Sequence, residues 1–388
     1  MRHQSVSPST SKSSEALCHE NGIRIALYFH RLANAGGAER MICQLASALS
    51  VRGFRVYLIS LDAPSDQSFF PIHDSVNWFR LGYSSGVLDK FRRTQLLIRL
   101  LRNTGIQILV GFVISGDKSV VVAAKLAKVR LVAAERNAPS MYWLRYSRLH
   151  RCISFWLLDL ADCITVQMLE FITGYPTHLR DRIVNIENPV PVVTSLASPG
   201  VANDMGRFTL LAVSRLDAVQ KRIDCLIRAF SIVAHKYPAW DLRIVGNGPS
   251  KSKLHRLIVE CGLVGRVDIE PAIADVFNVY KQAHLFAIPS LWEGFSNALA
   301  EAMSHGLPAV GFSDAAGVAE LIGDGGWLAE GLDNEAALAD ALATGMANRV
   351  ERIRRGQIAI QRMIQFAPDR LFDRWADLLH SLNGNQTR

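Results

Sequence analysis

A chain of 388 residues, of which 49% are hydrophobic and 20% charged, has enough apolar side chains for two domain cores. The net charge of +8 and the isoelectric point near 9.3 fit an anionic partner, such as a phosphorylated substrate or an anionic membrane surface, without choosing between them. Six scattered cysteines without CxxC spacing argue against a disulfide framework or a zinc site and for a reducing compartment.

The amino-terminal segment is rich in serine and lacks an apolar core, which argues against a signal peptide or a membrane span there. We expect residues 1–21 to be a disordered tail. Charged residues interrupt the longest apolar stretches of the chain, so no transmembrane helix is predicted. The sequence therefore predicts a cytoplasmic protein, either soluble or peripheral on the inner face of the plasma membrane.

The first predicted elements form a strand–helix–strand unit. Residues 23–29 and 54–61 are β-rich, and the helix between them carries an apolar stripe that ends near Gly53. Gly36 and Gly37 precede this helix, where glycines let backbone N–H groups approach a ligand and the helix amino terminus favours an anion. The loop is not GxGxxG, so a nicotinamide dinucleotide is weakly supported, and a simple tight turn is the alternative.

Two later helices are basic and amphipathic. Residues 87–103 and 141–158 combine apolar stripes with cations, and the second segment is also rich in aromatic residues. Such a helix can lie on an anionic membrane surface, or it can pack on its own domain with its arginines reaching into solvent. Both interpretations stay open at this point.

A polar trio follows the buried strand predicted over residues 130–134. Glu135, Arg136 and Asn137 come at the carboxyl end of that strand, where parallel sheets place ligand-binding residues. A salt bridge in the loop with an asparagine turn is the alternative.

A change in composition predicts a domain boundary. Prolines and glycines lie among small and polar residues just after position 188, so we expect a first domain over 22–190, a linker over 191–206 and a second domain over 207–365. Strands then alternate with helices again, which predicts a second doubly wound parallel sheet. The predicted strands of that sheet are 209–213, 242–245, 266–270, 284–288 and 308–312. The fold class is thus α/β, with two Rossmann-like domains.

Cations cluster after the first strand of the second domain. Arg215 follows the strand, and Lys221 and Arg222 lie at the amino terminus of the next helix, where the helix dipole disfavours cations. An anion between Arg215 and Lys221 would remove this conflict, and two cations with helix N–H groups suit a diphosphate. The alternative is that the side chains simply extend into water.

The segment 289–312 predicts a loop, a helix and a strand after a buried strand. Ser296 suits the N-cap, and Gly306 suits the first position after the helix. Glu293 lies in the loop and Glu301 in the helix, and a carboxylate can accept hydrogen bonds from paired sugar hydroxyls. Either acid alone would be taken for a solvated charge. The functional interpretation is favoured because the cation pair Arg215 and Lys221, which we call the clamp, and the loops Gly36-Gly37 and Gly246-Asn247-Gly248-Pro249 all lie at predicted strand ends.

Four segments together resemble the retaining glycosyltransferases of family 4, which have the GT-B fold. These segments are EGFSNALAEAMSHGLPAV, SRLDAVQKRIDCLIRAF, VGNGPSKSKL and GGAERMICQLASAL. The resemblance covers most of the chain after residue 22. It implies that the first domain binds the acceptor, that the second binds the sugar nucleotide, and that a helix over 366–388 returns to the first domain.

The resemblance also implies roles for individual residues. Arg215 and Lys221 would bind the diphosphate, Glu301 the ribose hydroxyls and Glu293 the donor sugar, so that Arg215, Lys221 and Glu293 carry the catalytic functions. The remaining implied donor-binding residues are Gly36, Gly37, Asn247, Gly248, Phe295, Ser296 and Asn297. The family needs no metal for its chemistry, and the chain has no Asp-x-Asp pair that would contradict this.

One departure from the family concerns the strand over 130–134. Many members carry a histidine at its end, whereas this chain has Glu135, Arg136 and Asn137, resembling a subset that acts on bacterial polysaccharide or lipid-linked oligosaccharide precursors. The trio would then face the acceptor or the donor sugar, with Glu135 or Asn137 taking the place of the histidine.

The sequence therefore predicts a hexosyltransferase that acts with retention on a nucleoside-diphosphate sugar and a lipid-linked glycan. A UDP-sugar is favoured over a GDP-sugar as the substrate, and we expect no cofactor, no metal and no nucleic-acid partner. We expect peripheral contact with the anionic inner membrane from the two basic helices. The alternatives are a sugar-nucleotide epimerase of the same fold and a non-catalytic scaffold in a polysaccharide assembly complex.

Overall fold

The computed structural model describes residues 22–34, 36–82, 87–112, 117–273 and 275–384, so the predicted tail over 1–21 lies outside the described residues. The chain forms two α/β domains, each built on a wholly parallel sheet. This confirms the predicted fold class.

The first sheet has seven strands in the order β3-β2-β1-β4-β5-β6-β7. In this order the chain first extends the sheet on one side of β1 and then returns to the other side at β4. The carboxyl ends of β1 and β4 therefore form a topological switch point, where α/β sheets bind ligands. The strands are β1 Arg24–Phe29, β2 Arg55–Ser60, β3 Asn77–Arg80, β4 Ile108–Phe112, β5 Arg130–Ala134, β6 Cys163–Val166 and β7 Ile183–Asn185.

Helices cover both faces of the first sheet. Its α-helices are α1 Gly37–Val51, α2 Val87–Asn103, α3 Lys118–Ala127, α4 Ser140–Leu144, α5 Arg148–Asp159 and α6 Thr177–Arg180, with a 3-10 helix over Leu169–Gly174. Buried side chains of α1 pack in one core cluster, whereas those of α2, α3 and α5 pack in the cluster on the opposite face. The two basic amphipathic segments thus lie in the same helical layer.

The second sheet repeats this plan with six strands in the order β10-β9-β8-β11-β12-β13. Its strands are β8 Phe208–Val213, β9 Trp240–Val245, β10 Val267–Glu270, β11 Leu285–Ile288, β12 Ala309–Phe312 and β13 Gly326–Ala329. Its helices are α7 Ile223–Ala234, α8 Lys251–Glu260, α9 Val276–Lys281, α10 Asn297–Ser304, α11 Ala319–Ile322, α12 Glu335–Ala347 and α13 Arg349–Ile364. The switch point lies between β8 and β11.

The last helix, α14 Pro368–Gly384, lies on the first domain. Leu371, Phe372, Trp375 and Leu379 are buried in the same core cluster as α1. The Phe112 and Trp375 rings lie 6.3 Å apart, which joins α14 to the end of β4. None of the helices that the structure describes is both long and apolar enough to span a bilayer.

Two local predictions differ from the structure. The helix predicted over 141–158 is two helices, because Ser147 adopts an extended conformation and caps α5 by accepting a hydrogen bond from the His150 N–H at 3.3 Å. The strand β3 was not predicted, since it has only four residues at the sheet edge and none of them is fully buried. A short edge strand of this kind lacks the apolar run by which a buried strand is recognised.

Candidate functional site

A cleft of about 880 Å³ lies between the two domains, where the switch points of both sheets face each other. Its walls come from the loops after β1 and β5 in the first domain and after β8, β9 and β11 in the second. Most of the predicted site residues line it: Gly36, Gly37, Arg136, Asn137, Arg215, Lys221, Asn247, Glu293, Phe295, Ser296, Asn297 and Glu301. Glu135 and Gly248 do not.

The loop after β8 is pinned to the loop after β11. The Gln220 side chain donates to the Trp292 carbonyl at 3.0 Å, and the Leu291 N–H donates to the Gln220 carbonyl at 2.9 Å. Asp217 closes the turn by accepting from the N–H groups of Val219 and Gln220. These bonds hold the two loops together.

The cations at the amino terminus of α7 are neutralised by carboxylates. The Lys221 Nζ lies 2.5 Å from the Glu293 Oε1, with both side chains largely buried. Arg222 turns away from the cleft and pairs with Asp224 and Asp333. The conflict between cations and the helix dipole is therefore relieved without a bound anion.

Arg215 lies on the cleft wall as an exposed cation. Within the described part of the chain, no carboxylate forms an ion pair with it. Its charge nevertheless reaches the first domain, because it opposes the burial that raises the pKa of Glu39 in the first turn of α1. Arg215 and the start of α1 both line the cleft, from the second and the first domain respectively.

Glu301 lies on the cleft-facing side of α10 and is only 4% exposed. Its Oε2 accepts from the Tyr280 hydroxyl at 3.1 Å, and its Oε1 pairs with Arg40 of the first domain.

The helix α10 ends as predicted: Gly306 has a φ of +84°, and the Leu307 N–H donates to the Ala302 carbonyl at 3.1 Å. Ser296 takes the N-cap but makes no side-chain capping bond.

The first turn of α1 faces the start of α10 across the cleft. Asp62 holds the preceding loop by accepting from the Leu32 N–H at 2.8 Å. A Cβ atom on Gly37 would lie 2.5 Å from the Asn297 Nδ2, so a larger residue there would displace the Asn297 amide. The Asn297 Oδ1 accepts from the Asn188 Nδ2 at 2.9 Å, so Asn297 contacts the first domain at two points.

The three residues after β5 have different surroundings in the structure. Glu135 is 2% exposed and accepts from the Tyr142 hydroxyl at 2.6 Å, and burial raises the pKa of its carboxyl. Arg136 and Asn137 line the cleft. The Arg136 guanidinium lies 5.1 Å from the Phe112 ring centre and 5.3 Å from that of Trp375, and burial lowers its pKa. Of the trio, only Arg136 and Asn137 therefore line the cleft.

Gly248 has a packing role. A Cβ atom there would lie 2.5 to 2.8 Å from three backbone atoms of Leu216, and the Leu216 N–H donates to the Asn247 carbonyl at 2.9 Å. The loop after β9 thus supports the loop after β8, and only Asn247 of the pair lines the cleft.

The cleft residues that were not predicted from the sequence include four with polar contacts: Arg40, Gln167, Asn188 and Tyr280. Gln167 accepts from the Phe295 N–H at 2.9 Å, so it joins the domains across the cleft. Gln167 follows β6 directly, a position that could have marked it, and Arg40 ends the GGAER segment. No group of three histidine, cysteine or acidic side chains suited to a metal ion occurs among the residues the structure describes.

Residues 207–348 match the family model described as glycosyl transferases group 1. The second domain therefore resembles the group 1 glycosyltransferases, and the chain is identified as a glycosyltransferase. The glycosyltransferase is 27% identical over 379 residues to the amylovoran biosynthesis glycosyltransferase AmsD of Erwinia amylovora, covering 92% of this chain and 99% of AmsD. It is also 26% identical over 344 residues to N-acetylgalactosamine-N,N'-diacetylbacillosaminyl-diphospho-undecaprenol 4-alpha-N-acetylgalactosaminyltransferase of Campylobacter jejuni, covering 83% of this chain and 89% of that enzyme.

The fold of this glycosyltransferase is also that of a solved structure, the Anabaena protein HepE in complex with UDP and glucose. The two superimpose with a TM-score of 0.75 at 18% identity, covering 92% of this chain and 100% of HepE. At this identity the likeness shows the shared fold.

Proposed function

We propose that this glycosyltransferase moves a hexosyl group from a nucleoside-diphosphate sugar to a growing glycan, with retention of configuration and without a metal ion. One observation carries the donor part of the proposal. The cleft brings the cations Arg215 and Lys221 together with the buried carboxylates Glu293 and Glu301. In a sugar nucleotide, the cations are complementary to the dianionic diphosphate, and the carboxylates are complementary to the vicinal hydroxyls of the ribose and the sugar.

The chemistry follows from where charge develops. As the bond between sugar and phosphate breaks, the leaving diphosphate gains negative charge that Arg215 and Lys221 stabilise. The first turns of α1 and α10 point into the same cleft without side-chain caps, so their N–H groups favour an anion. Glu301 holds the ribose, and Glu293 holds the donor sugar.

The acceptor hydroxyl attacks from the face that the diphosphate leaves, and the departing phosphate takes its proton. This requires no side-chain base, which fits a trio whose cleft-facing members are a cation and an amide, Arg136 and Asn137. These two side chains, together with Gly36 and Gly37, orient the acceptor and the donor from the first domain.

A thermal-shift screen of the full chain against UDP, GDP and ADP and their sugars tests the donor assignment. Binding stabilises the folded state by mass action, and we expect the largest shift with a uridine nucleotide. Lack of a shift with all of these nucleotides would contradict the proposal and favour a non-catalytic scaffold. Incubating the donor without acceptor separates the remaining class, because an epimerase converts the donor sugar and a transferase does not.

Product analysis tests the chemistry. The anomeric proton coupling of the product, read by NMR against that of the donor, reports retention or inversion directly. Full activity after treatment with EDTA is expected, and loss of activity that Mg²⁺ or Mn²⁺ restores would overturn the metal-independent mechanism.

We further propose that the acceptor is a polyprenyl-diphosphate-linked glycan at an anionic membrane surface. The name of the Campylobacter relative includes a diphospho-undecaprenol acceptor, and that of AmsD includes a bacterial polysaccharide. On α4 and α5, Trp143 and Trp156 are each 61% exposed, with Arg145 and Arg148 also exposed nearby. The helix α2 lies in the same layer and exposes Phe91. Aromatic side chains beside arginines are typical of an interfacial surface.

Sedimentation with vesicles tests this surface. We expect binding to phosphatidylglycerol vesicles at low salt, weaker binding at high salt, and loss of binding in the double variant Trp143→Ser, Trp156→Ser. Val264→Ser, at an exposed apolar position of the second domain, is the matched control. A wild-type protein that stays in the supernatant at low salt would contradict the membrane proposal.

A further inference from the structure

Two residues from different domains form an ion pair across the cleft. Arg40, in the first turn of α1, pairs with Glu301 on α10, and the side chain of Glu301 is 6% exposed. The other carboxylate oxygen of Glu301 accepts from the Tyr280 hydroxyl at 3.1 Å. Both oxygens of the carboxylate assigned to the ribose are thus engaged in this structure.

We propose that Arg40 is a donor-binding residue that exchanges its partner. The ribose hydroxyls of the donor take the carboxylate of Glu301, and the released guanidinium binds the diphosphate. The inference rests on the proposed function, because it uses the assignment of Glu301 to the ribose. It adds to the site a cation from the first domain, whereas Arg215 and Lys221 belong to the second.

The position of Arg40 supports its transfer to the diphosphate. It lies on the cleft wall next to Glu39, whose pKa is affected by the charge of Arg215 on the opposite wall. Arg40 and Arg215 both line this cleft, from the first and the second domain. A guanidinium can bind two phosphate oxygens at once, a geometry that an ammonium does not offer.

The exchange couples the two ends of the donor. Separating Arg40 from Glu301 without new partners would leave two charges unpaired in a largely enclosed site, which is unfavourable. A ligand that carries both a ribose and a diphosphate supplies a partner for each. A nucleoside alone has to break the ion pair and offers nothing to Arg40, so the ion pair selects against it.

Titration calorimetry of the full chain with UDP and with uridine tests the exchange, with GDP and guanosine used instead if the nucleotide screen selects guanine. In Arg40→Met we expect UDP affinity to fall about 10- to 100-fold, because a charge-assisted contact to the diphosphate is lost. Uridine affinity is expected to stay unchanged or to increase, because Glu301 is no longer engaged by a guanidinium. Arg354→Met, which removes an arginine from an exposed pair with Glu351, is the control and should change neither affinity.

The different responses of UDP and uridine affinity separate this role from a structural one. Equal losses of UDP and uridine affinity in Arg40→Met would mean that Arg40 only holds the cleft together, and would overturn the exchange. Unchanged UDP affinity would overturn it as well, while leaving the proposed function intact. If the wild-type chain binds no nucleoside diphosphate, the proposed function itself fails. Arg40→Lys, which keeps a cation beside Glu301, provides the same comparison if Arg40→Met does not fold, with a smaller loss for UDP and none for uridine.

Discussion

The ammonium of Lys221 lies 2.5 Å from the carboxylate of Glu293, although 72 residues separate them in the chain. Arg215, six positions before Lys221, has no such carboxylate among the residues that the structure describes. The two cations of the candidate diphosphate clamp therefore differ in one respect. Lys221 is part of a largely buried ion pair, and Arg215 faces the open cleft.

This difference predicts different effects of the same substitution. Lys221→Met leaves the buried Glu293 carboxylate without its cation, so we expect the free energy of unfolding to fall by about 1 to 3 kcal/mol. Arg215→Met removes no ion pair among the described residues, and we expect a change within about 0.5 kcal/mol. Urea unfolding of both variants, followed by circular dichroism, measures these changes.

Under the proposed function, both variants lose activity in spite of their different stabilities. Each removes a cation that stabilises the leaving diphosphate, and we expect turnover of the donor to fall about 10²- to 10³-fold. Arg354→Met is again the matched control, because its partner Glu351 lies on the surface of α13. Unchanged kinetics in Arg215→Met would rule out the clamp.

The sequence predicted those features that are encoded within short segments, and it did not predict contacts between residues far apart in the chain. The strand–helix alternation and the loop glycines predicted both parallel sheets and the end of α10, because these features follow from hydrophobic period and turn chemistry within short segments. Contacts between domains leave no such pattern. Arg40, Gln167 and Asn188 join the cleft through partners more than a hundred residues away, and no local signal specifies those partners.

The trio after β5 shows a second limit. Its position at a strand end marked all three residues alike, yet the structure turns Glu135 into the domain and leaves Arg136 and Asn137 at the cleft. The direction of the Glu135 side chain depends on Tyr142, which comes from the next helix and donates to the carboxyl. The roles of the individual site residues stay predictions that kinetics has to test.

The contact between Glu135 and Tyr142 predicts a structural effect of a small change. Tyr142→Phe removes the hydroxyl that donates to the Glu135 carboxyl at 2.6 Å in a buried site. We expect the free energy of unfolding to fall by about 1 to 3 kcal/mol, since a buried acceptor loses its donor. Tyr146→Phe, on the same aromatic cluster but less buried, is the control. Equal stability of Tyr142→Phe and the wild type would show that this hydrogen bond contributes nothing net.

His305 predicts a pH dependence of stability. It is fully buried after α10, and its Nδ1 lies 2.7 Å from the Glu301 carbonyl oxygen. Burial lowers its pKa to about 4, and the charge of Lys281 acts in the same direction. The unfolded chain has a histidine pKa near 6.5. Between pH 6.5 and 4 the unfolded state therefore binds a proton that the folded state does not.

The free energy of unfolding is thus expected to fall as the pH falls through this window, by at most about 3 kcal/mol from His305. His284, whose pKa burial also lowers, contributes in the same direction. Urea unfolding from pH 7.5 to 4.5 should give a shallower slope for His305→Gln than for the wild type. Parallel slopes would show that His305 already takes up its proton in the folded protein.

The close contacts of Gly294 with the first domain predict that a larger residue there lowers activity. It lies between Glu293 and Phe295, and a Cβ atom there would lie 2.3 Å from the Arg136 carbonyl oxygen and 2.3 Å from the Gln167 Oε1. Because one of these neighbours is backbone, Gly294→Ala has to push the loop after β11 away from the first domain. The displacement moves Glu293 relative to Arg136 across the cleft.

A shift of about 1 Å at a reacting site can lower the rate about 10²-fold, and we expect a loss of that order in donor turnover of Gly294→Ala. Gly384→Ala, where a Cβ atom would meet nothing within 4 Å, is the matched control. If Gly294→Ala keeps full activity, the loop after β11 adapts its position and the close approach of the domains at this point is not required for catalysis.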